Sequence, residues 1–358
     1  ASAAMAPRAA EGAEPPQAAS GPLTVEDLNQ FRERGWCVLR GAVPAEEAIT
    51  YTRELLLPAI RAAGVDPDNP ESWHTGEKYH AIWDRSRANN NRCGAHVGLG
   101  DHAVAPPPTL FSAGGRLRRA AAQLLAADGC DKAEASGRRY VPRAEEDRLS
   151  HVVVRYPLRR RPGRWWCRCW PRSQSGLPAL GWHIDGVWHH HLHSRGLALI
   201  ALPVFGLGTI GRGCGMTALL SGSHEVIADR LAASHPEGQS HMQLFKYSHL
   251  LAWIARLPAI IRGLLFGRRM RRLRLEEASP CDPGDVLLMH PLLVHSSAVN
   301  VKGDSLRLAF NTHLSWAEDL DLRPYWEAAG SCLHSSVSQV ERVHAEAVLR
   351  RTGASSRE

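Results

Sequence analysis

The sequence lacks an apolar run long enough to cross a membrane as a helix. Such a helix needs about 18 or more apolar residues, and the most apolar stretch, residues 250–266, is interrupted by two arginines and a proline. The first twenty residues also lack the apolar core of a secretory signal and are rich in alanine and proline. We therefore expect no membrane span, and we expect residues 1–22 to form a disordered leader.

Closely paired cysteines are also scarce. The chain has eight cysteines, and the only close pair is Cys167 and Cys169. A structural zinc site needs four ligands, usually in two close pairs, and a disulfide framework is typical of much shorter secreted chains. We therefore expect reduced cysteines, which favours a reducing intracellular compartment, either the cytoplasm or an organelle.

Acidic residues are outnumbered by basic ones, and the formal net charge is +7. The excess lies mostly in two arginine-rich runs, residues 159–164 and 268–274. A solvated arginine-rich face is the simplest interpretation, but such a surface also attracts nucleic acid, membrane lipid or an acidic substrate. We do not expect nucleic acid to be a partner.

Hydrophobic periodicity predicts a helical opening followed by a β-rich core. Thr24 and an acid three residues later begin a helix that ends near Gly35. A strand over residues 36–40 and a helix over residues 44–57 follow, and a further helix is predicted over residues 115–127. Short β-rich runs then alternate with glycine, proline and aspartate turns, namely residues 151–156, 196–205, 285–289, 292–299 and 306–314. This spacing predicts a mainly β fold with helical decoration around a double-stranded β-helix, or jelly-roll, core.

The length of the chain suits one large catalytic domain. A β sandwich or barrel with added helices often reaches this size, and we place the domain at residues 23–325. A helical insertion is expected at about residues 240–271. Residues 326–358 are expected to form a C-terminal helical tail.

The strongest local motif is Trp182-His183-Ile184-Asp185-Gly186. On an extended strand, residues i and i+2 point to the same side, so His183 and Asp185 converge. An imidazole and a carboxylate are two thirds of the facial triad that binds Fe(II) and leaves three coordination positions open. His-x-Asp alone is common by chance, so the hypothesis needs a third ligand.

Two histidines further along the chain are candidates for that ligand. His290 precedes a proline that disturbs strand pairing, whereas His295 begins a segment that leads into a predicted hairpin. If the loop at residues 300–304 has five residues, Ser297 lies opposite Arg307. Both then share a face with His295. A two-residue turn would place Arg307 on the other face, so the prediction depends on the odd loop length.

An arginine beside an iron site has a specific use. 2-Oxoglutarate chelates iron through its keto acid end and leaves a distal carboxylate to be held in the pocket. A planar guanidinium binds a carboxylate through two hydrogen bonds and keeps its charge when buried. Arg307 would fill this role, with a hydroxyl donor from Ser297 beside it. The competing interpretation of Arg307 is a charge on a surface hairpin.

Five motifs follow one another along residues 23–316. They are FRERGWCVLRG from Phe31, GWHIDG from Gly181, GMTALLSGSH from Gly215, HSSAVN from His295, and Arg307. Together they resemble the phytanoyl-CoA dioxygenase family of Fe(II)- and 2-oxoglutarate-dependent oxygenases. The resemblance implies a jelly-roll core, catalytic iron on His183, Asp185 and His295, and 2-oxoglutarate on Arg307 with help from Ser297.

The resemblance also implies a reaction. Fe(II), 2-oxoglutarate and dioxygen would hydroxylate a small-molecule or acyl-CoA-type substrate, with release of succinate and CO2. Asp185 favours hydroxylation or a related oxidation, because halogenating relatives lose this carboxylate. A different function remains open, namely a non-catalytic jelly-roll module that binds RNA or another acidic partner through the arginine runs.

Other histidines lie close to these motifs. We interpret His224 either as structural or as a residue that supports the iron ligands. Four more histidines follow the metal motif, at positions 189, 190, 191 and 193. A polar loop at the pocket entrance is a simpler interpretation of these four than a second metal site.

Overall fold

A computed structural model describes the helical opening, the β-rich core and the helical insertion. The described residues are 21–69, 94–112, 114–125, 140–142, 151–157, 177, 181–186, 188–189, 194–195, 197–234, 238–303 and 306–316. The predicted leader up to residue 20, the arginine run at 159–164 and the predicted tail at 326–358 lie outside them.

The chain opens with a capped helix and a buried strand, as its sequence predicts. Helix α1 spans Val25–Arg34, and Thr24 and Asp27 form both hydrogen bonds of a capping box at its start. Gly35 ends the helix at φ 83°, a left-handed conformation that favours glycine. Strand β1 (Trp36–Leu39) follows directly.

The helix predicted from Pro44 begins where expected and continues beyond residue 57. It consists of α2 (Ala45–Tyr51), a π-helical turn (Thr52–Leu56) and α3 (Leu57–Ala62). The helix predicted at residues 115–127 is α4 (Arg116–Leu125).

Short antiparallel strands form the rest of the core. They are β2 (Gly94–Gly98), β3 (Tyr140–Pro142), β4 (His151–Arg155), β5 (Trp188–His189), β6 (Ser194–Arg195), β7 (Leu199–Phe205), β8 (Thr217–Ser221), β9 (Gln239–Ser240), β10 (Arg274–Glu277), β11 (Val286–Met289), β12 (His295–Ser297), β13 (Arg307–Ala309) and β14 (Thr312–Trp316). The large sheet has the order β1-β11-β7-β13-β4-β2, and β14 joins it beside β7 and β3. A smaller sheet has the order β10-β8-β12, and β5, β6 and β9 form a third.

The large and small sheets bury a common layer of side chains between them. Along β7, Ile200 and Leu202 belong to this layer, whereas Leu199 and Ala201 pack with helices α1 to α4 on the outer side. Leu219 of β8 enters the same layer from the small sheet. This alternation at every second residue is what a strand covered on both faces requires. The predicted mainly β fold with helical decoration around a double-stranded β-helix is confirmed.

The predicted hairpin around residues 300–304 is wrong. β12 pairs with β8 in the small sheet, whereas β13 pairs with β4 and β7 in the large sheet. The segment between them crosses from one sheet to the other, and Asn300 forms bridges to Pro157 and Cys214. Two β-rich runs around a glycine-containing loop fit either arrangement, because the loop residues suit a crossing as well as a turn.

The helical insertion predicted at about residues 240–271 comprises three helices. After α5 (Ser223–Ser234), helix α6 spans His241–Ile254 and starts with a capping box between Ser240 and Gln243. Helices α7 (Ala259–Phe266) and α8 (Arg268–Arg272) complete it. Over the part of the chain that the structure describes, no helix is both long and apolar enough to cross a membrane.

Candidate metal centre

Side chains of His183, Asp185 and His295 converge between the two sheets. One ligand atom from each lies within 4.8 Å of the other two. The Nε2 atom of His183 is 3.4 Å from Asp185 Oδ1, and the Nε2 atom of His295 is 3.5 Å from Asp185 Oδ2. Two imidazole nitrogens and one carboxylate form a donor set that suits Fe(II) with open coordination positions.

One antiparallel bridge joins the backbones of the two histidines. The His183 N–H donates to the His295 carbonyl at 3.0 Å, and the His295 N–H donates to the His183 carbonyl at 2.9 Å. The sequence predicts an extended strand at His183 to Asp185, but the structure has this isolated bridge instead. Ile184 between them is buried in the helical layer beyond the small sheet, so the predicted alternation of sides is present.

Backbone carbonyls select the tautomer of both histidines. Nδ1 of His183 lies 2.7 Å from the Gly181 carbonyl, and Nδ1 of His295 lies 3.0 Å from the Leu293 carbonyl. A carbonyl oxygen only accepts hydrogen bonds, so each Nδ1 carries the hydrogen. When the ring is neutral, Nε2 carries a lone pair beside Asp185, which is the state that metal binding requires. Without a metal, a proton on Nε2 makes the hydrogen bond to Asp185.

Two further residues, which sequence reasoning missed, hold the carboxylate of Asp185. Asn311 Nδ2 donates to Asp185 Oδ2 at 3.1 Å, and His313 Nε2 donates to the same oxygen at 3.2 Å. Both come from the large sheet, at and just before β14. The face that holds Arg307 continues at every second residue through Asn311 and His313. Extending the parity argument along the predicted run 306–314 would have found them.

The surrounding imidazoles keep Asp185 ionised. Burial raises the pKa of this carboxyl, but the charge of His295 and hydrogen bonds from His183, His295 and His313 hold the pKa well below its usual range. Burial also lowers the pKa of His295, yet Asp185 more than offsets this and the pKa of His295 is raised.

Arg307 lies on the inner face of the large sheet as a buried cation. Its Nη2 donates to Thr217 Oγ1 on the small sheet at 3.2 Å. Burial and repulsion from Arg155 lower its pKa to about 9. Among the described residues no carboxylate pairs with this guanidinium, and its Nε has no acceptor. A buried charge in this condition is stabilised by a bound anion.

The distance from Arg307 to the candidate metal centre follows from strand register. On the small sheet Ser297 is opposite Thr217, and His295 is opposite Leu219. Thr217, the partner of Arg307, is therefore two residues, or about 7 Å, along the strand from the level of His295. His295, Ser297 and Arg307 do lie near one another, but through two facing sheets and not through the predicted hairpin.

His290, the rejected ligand candidate, has a different environment. Its ring lies against Phe31 and His224, and its Nδ1 accepts a hydrogen bond from the Leu292 N–H at 3.0 Å. His224 contacts the Arg32 carbonyl through Nε2 at 3.1 Å. Both rings therefore pack helix α1 against the core, which agrees with a structural role for His224.

Helix α6 anchors the segment that carries His183. His241 Nδ1 donates to the Ile184 carbonyl at 2.6 Å, and His249 Nε2 accepts a hydrogen bond from the Gly181 N–H at 3.0 Å. Among the described residues, the backbone of this segment forms one β-bridge, to His295, and the hydrogen bonds from the insertion add to its support. The sequence predicted helices in this region but not this contact.

Of the four clustered histidines, the structure describes His189 alone. It is buried, and burial together with the nearby His241 lowers its pKa to about 4. The other three, at positions 190, 191 and 193, lie outside the described residues.

Comparisons with known proteins match the chain to one family. The family model described as "Phytanoyl-CoA dioxygenase (PhyH)" matches residues 31–308. A search of curated proteins found no match.

Solved structures provide more distant likenesses. The non-heme alpha ketoglutarate dependent carbocyclase SnoK from nogalamycin biosynthesis is 16% identical at a TM-score of 0.40, over 82% of this chain and 84% of that one. EvdO2 from Micromonospora carbonacea var. aurantiaca, complexed with 2-oxoglutarate, is 16% identical at 0.37, over 86% and 99%. HygX from Streptomyces hygroscopicus, with nickel and 2-oxoglutarate bound, is 15% identical at 0.36, over 81% and 87%. At these values the likenesses say nothing about a substrate.

Proposed function

This chain belongs to the phytanoyl-CoA dioxygenase family of non-haem Fe(II)- and 2-oxoglutarate-dependent enzymes, and we propose that it hydroxylates a small-molecule or acyl-CoA-type substrate. In that reaction one oxygen atom of dioxygen enters the substrate and the other enters succinate, while CO2 leaves. Iron and 2-oxoglutarate supply the oxidising chemistry when bound, and the protein binds and orients the reactants.

The metal ligands in this proposal are His183, Asp185 and His295. Their donor atoms suit Fe(II), and the backbone already selects the required tautomer of both histidines. Asn311 and His313 would orient the Asp185 carboxylate by holding its Oδ2 atom. Because these side chains are already held in position, metal binding would cost less conformational entropy.

The single observation that carries the proposal is the buried guanidinium of Arg307. It faces the interior at a level about two residues along the strand from the candidate metal centre. Among the residues that the structure describes, no carboxylate pairs with it. A five-carbon dicarboxylate that reaches from the metal to Arg307 would supply the missing negative charge. Thr217 would hold the guanidinium in place, and Ser297, opposite Thr217, would offer a hydroxyl to the distal carboxylate.

The test is a substrate screen that scores succinate formation with Fe(II), ascorbate and 2-oxoglutarate. Small molecules and acyl-CoA thioesters are supplied in turn, and bound iron is measured on the same preparations. We expect His183→Ala and Asp185→Ala to lose both iron and turnover. Asp282→Ala is the matched control, because Asp282 is exposed and its side chain accepts a hydrogen bond from Thr209 rather than from a proposed ligand, and it should keep both. Wild-type succinate formation by Asp185→Ala would refute the ligand assignment.

A further inference from the structure

Helix α7 has its apolar side chains outside and its charge inside. Ile260, Leu264 and Leu265 are 67%, 80% and 67% exposed. The one buried side chain of the helix is Arg262. A helix at a protein–water boundary has the reverse arrangement, with the apolar stripe toward the core. The outward face of α7 therefore suits an apolar surrounding.

Hydrogen bonds of Arg262 hold this inverted orientation in place. Its guanidinium uses five N–H groups at distances of 2.6–3.2 Å. The acceptors are the carbonyls of Ala255, Leu257, Met270, Arg271 and Leu273. One side chain thus joins the end of α6, helix α8 and the start of β10, and α7 cannot rotate to bury its leucines without losing these bonds.

The neighbouring helix adds to the exposed apolar surface. Trp253 and Leu250, in the last turns of α6, are 60% and 48% exposed. Soluble proteins rarely leave a cluster of large apolar side chains in contact with water, so such a cluster marks an interaction site. We call the outward side chains of α7 with these two residues the apolar face.

The segment that carries the apolar face has charge of one sign only. Residues 238–275 contain eight lysines and arginines and no aspartate or glutamate. Arg269 pairs with Glu225 and Asp229 on α5, whereas Arg268, Arg271 and Arg272 are exposed beside α7. The exposed surface is therefore apolar on α7 and cationic on α8.

From this juxtaposition we propose that helices α6 to α8 dock the protein on the surface of a membrane that contains anionic lipid. A bilayer interface offers an acyl layer for the apolar face and lipid phosphates for the arginines, in adjacent layers. Nucleic acid offers phosphates without an acyl layer. A second copy of the chain would place like charges opposite one another. The docking does not depend on iron or on the proposed reaction.

Docking would also place the candidate metal centre near the membrane. Helix α6 begins at His241, which contacts the Ile184 carbonyl between two proposed ligands. Its 14 residues span about 21 Å, and its last turns carry Trp253. In the docked protein the candidate metal centre would lie about one length of α6, roughly 21 Å, from the side chains that contact lipid.

The test is sedimentation of the full chain with vesicles, with a chelator present so that iron plays no part. We expect binding to vesicles of phosphatidylcholine with phosphatidylserine, and at least about tenfold weaker binding to phosphatidylcholine alone. High salt should weaken binding to the phosphatidylserine vesicles, because the electrostatic screening length falls from about 8 Å at physiological ionic strength to about 3 Å at 1 M.

Two sets of variants separate the apolar and cationic contributions. Leu264→Ser with Leu265→Ser, which leaves the charge unchanged, should weaken binding more than about tenfold. Leu55→Ser, a control at a leucine that is 49% exposed in the π-helical turn, should not. Arg268→Ala with Arg272→Ala should weaken binding about 25-fold, because each arginine near an anionic surface contributes a factor of about five. Circular dichroism melting should match the wild type, since the replaced leucines are exposed.

Several results would overturn the proposal. One is the absence of binding to either vesicle type. Another is binding by the Leu264 and Leu265 double variant that equals binding by Leu55→Ser. A concentration-dependent dimer that the double variant abolishes, without vesicle binding, would assign the face to self-association. RNA binding without vesicle binding would assign the arginines to nucleic acid.

Discussion

Replacing Arg307 with methionine should have opposite effects on cosubstrate binding and on stability. Arg307 is 3% exposed, and burial with repulsion from Arg155 lowers its pKa to about 9. Without a bound anion, the folded chain bears the cost of this desolvated charge. Methionine has a similar length and removes that cost, but it cannot bind the distal carboxylate of 2-oxoglutarate.

The size of both effects follows from the chemistry of the pair. Two charge-assisted hydrogen bonds of about 1.5–3 kcal/mol each hold the carboxylate in the proposed complex. After allowance for desolvation, we expect Arg307→Met to lose about 3 kcal/mol, or roughly 100-fold in the dissociation constant. Without 2-oxoglutarate, the free energy of unfolding should stay the same or rise by roughly 1–3 kcal/mol. Arg307→Lys should weaken binding about tenfold, because lysine keeps the charge and loses the planar fork.

Calorimetric titration of 2-oxoglutarate into metal-loaded protein measures the first effect, and urea unfolding without 2-oxoglutarate measures the second. Arg40→Met is the matched control, because Arg40 Nη1 lies 2.7 Å from Asp285 Oδ2 and Arg40 follows β1, which lies three strands from β13 in the large sheet. Its replacement leaves buried Asp285 without this partner, so it should destabilise the chain by about 1–2 kcal/mol without changing 2-oxoglutarate affinity. Binding of 2-oxoglutarate by Arg307→Met within threefold of the wild type would refute the reasoning.

Three other substitutions test separate parts of the structure. His313→Ala should lower Fe(II) affinity roughly 10–100-fold in a chelator competition, because His313 orients Asp185; wild-type affinity would contradict that role. Burial lowers the pKa of His189 from an ordinary 6.5 to about 4 in the folded chain. Between pH 4 and pH 6.5, the unfolded chain therefore binds a proton at His189 that the folded chain does not. Stability should be full above pH 6.5 and fall by up to about 3 kcal/mol as the pH drops to 4, and His189→Gln should flatten this slope in urea unfolding with chelator present. Gly284→Ala should cost more than about 2 kcal/mol in thermal unfolding, because the residue has φ 91° and a Cβ would lie 2.2 Å from the Val43 carbonyl oxygen; an unchanged melting temperature would contradict the strain.

Local patterns were sufficient to predict many of the elements, although β8 and β10 of the small sheet were not among the predicted runs. The cap at Thr24 and the glycine after Arg34 delimit α1, and the β-rich runs correspond to strands of the core. The His-x-Asp motif also indicated a metal site, because alternation of sides along extended backbone depends only on nearest neighbours.

Long-range pairing could not be predicted from the same patterns. Whether the chain after Ser297 turns back or crosses to the other sheet depends on packing across the whole sandwich, not on the loop residues. Asn311 and His313 reach Asp185 only because β14 lies beside β7. The contact of α6 with Gly181 likewise needs tertiary structure, since the two are far apart in sequence.

The isolated bridge between His183 and His295 has a consequence for the order of events during folding. Its two partners are separated by more than a hundred residues, so their hydrogen bonds form only after the intervening strands and helices have closed a long loop. We therefore expect the imidazoles to meet late, so that iron does not act as a nucleus for the collapse of this chain. The polypeptide would reach a nearly native sandwich by its own packing, and iron would then bind to ligands already in place.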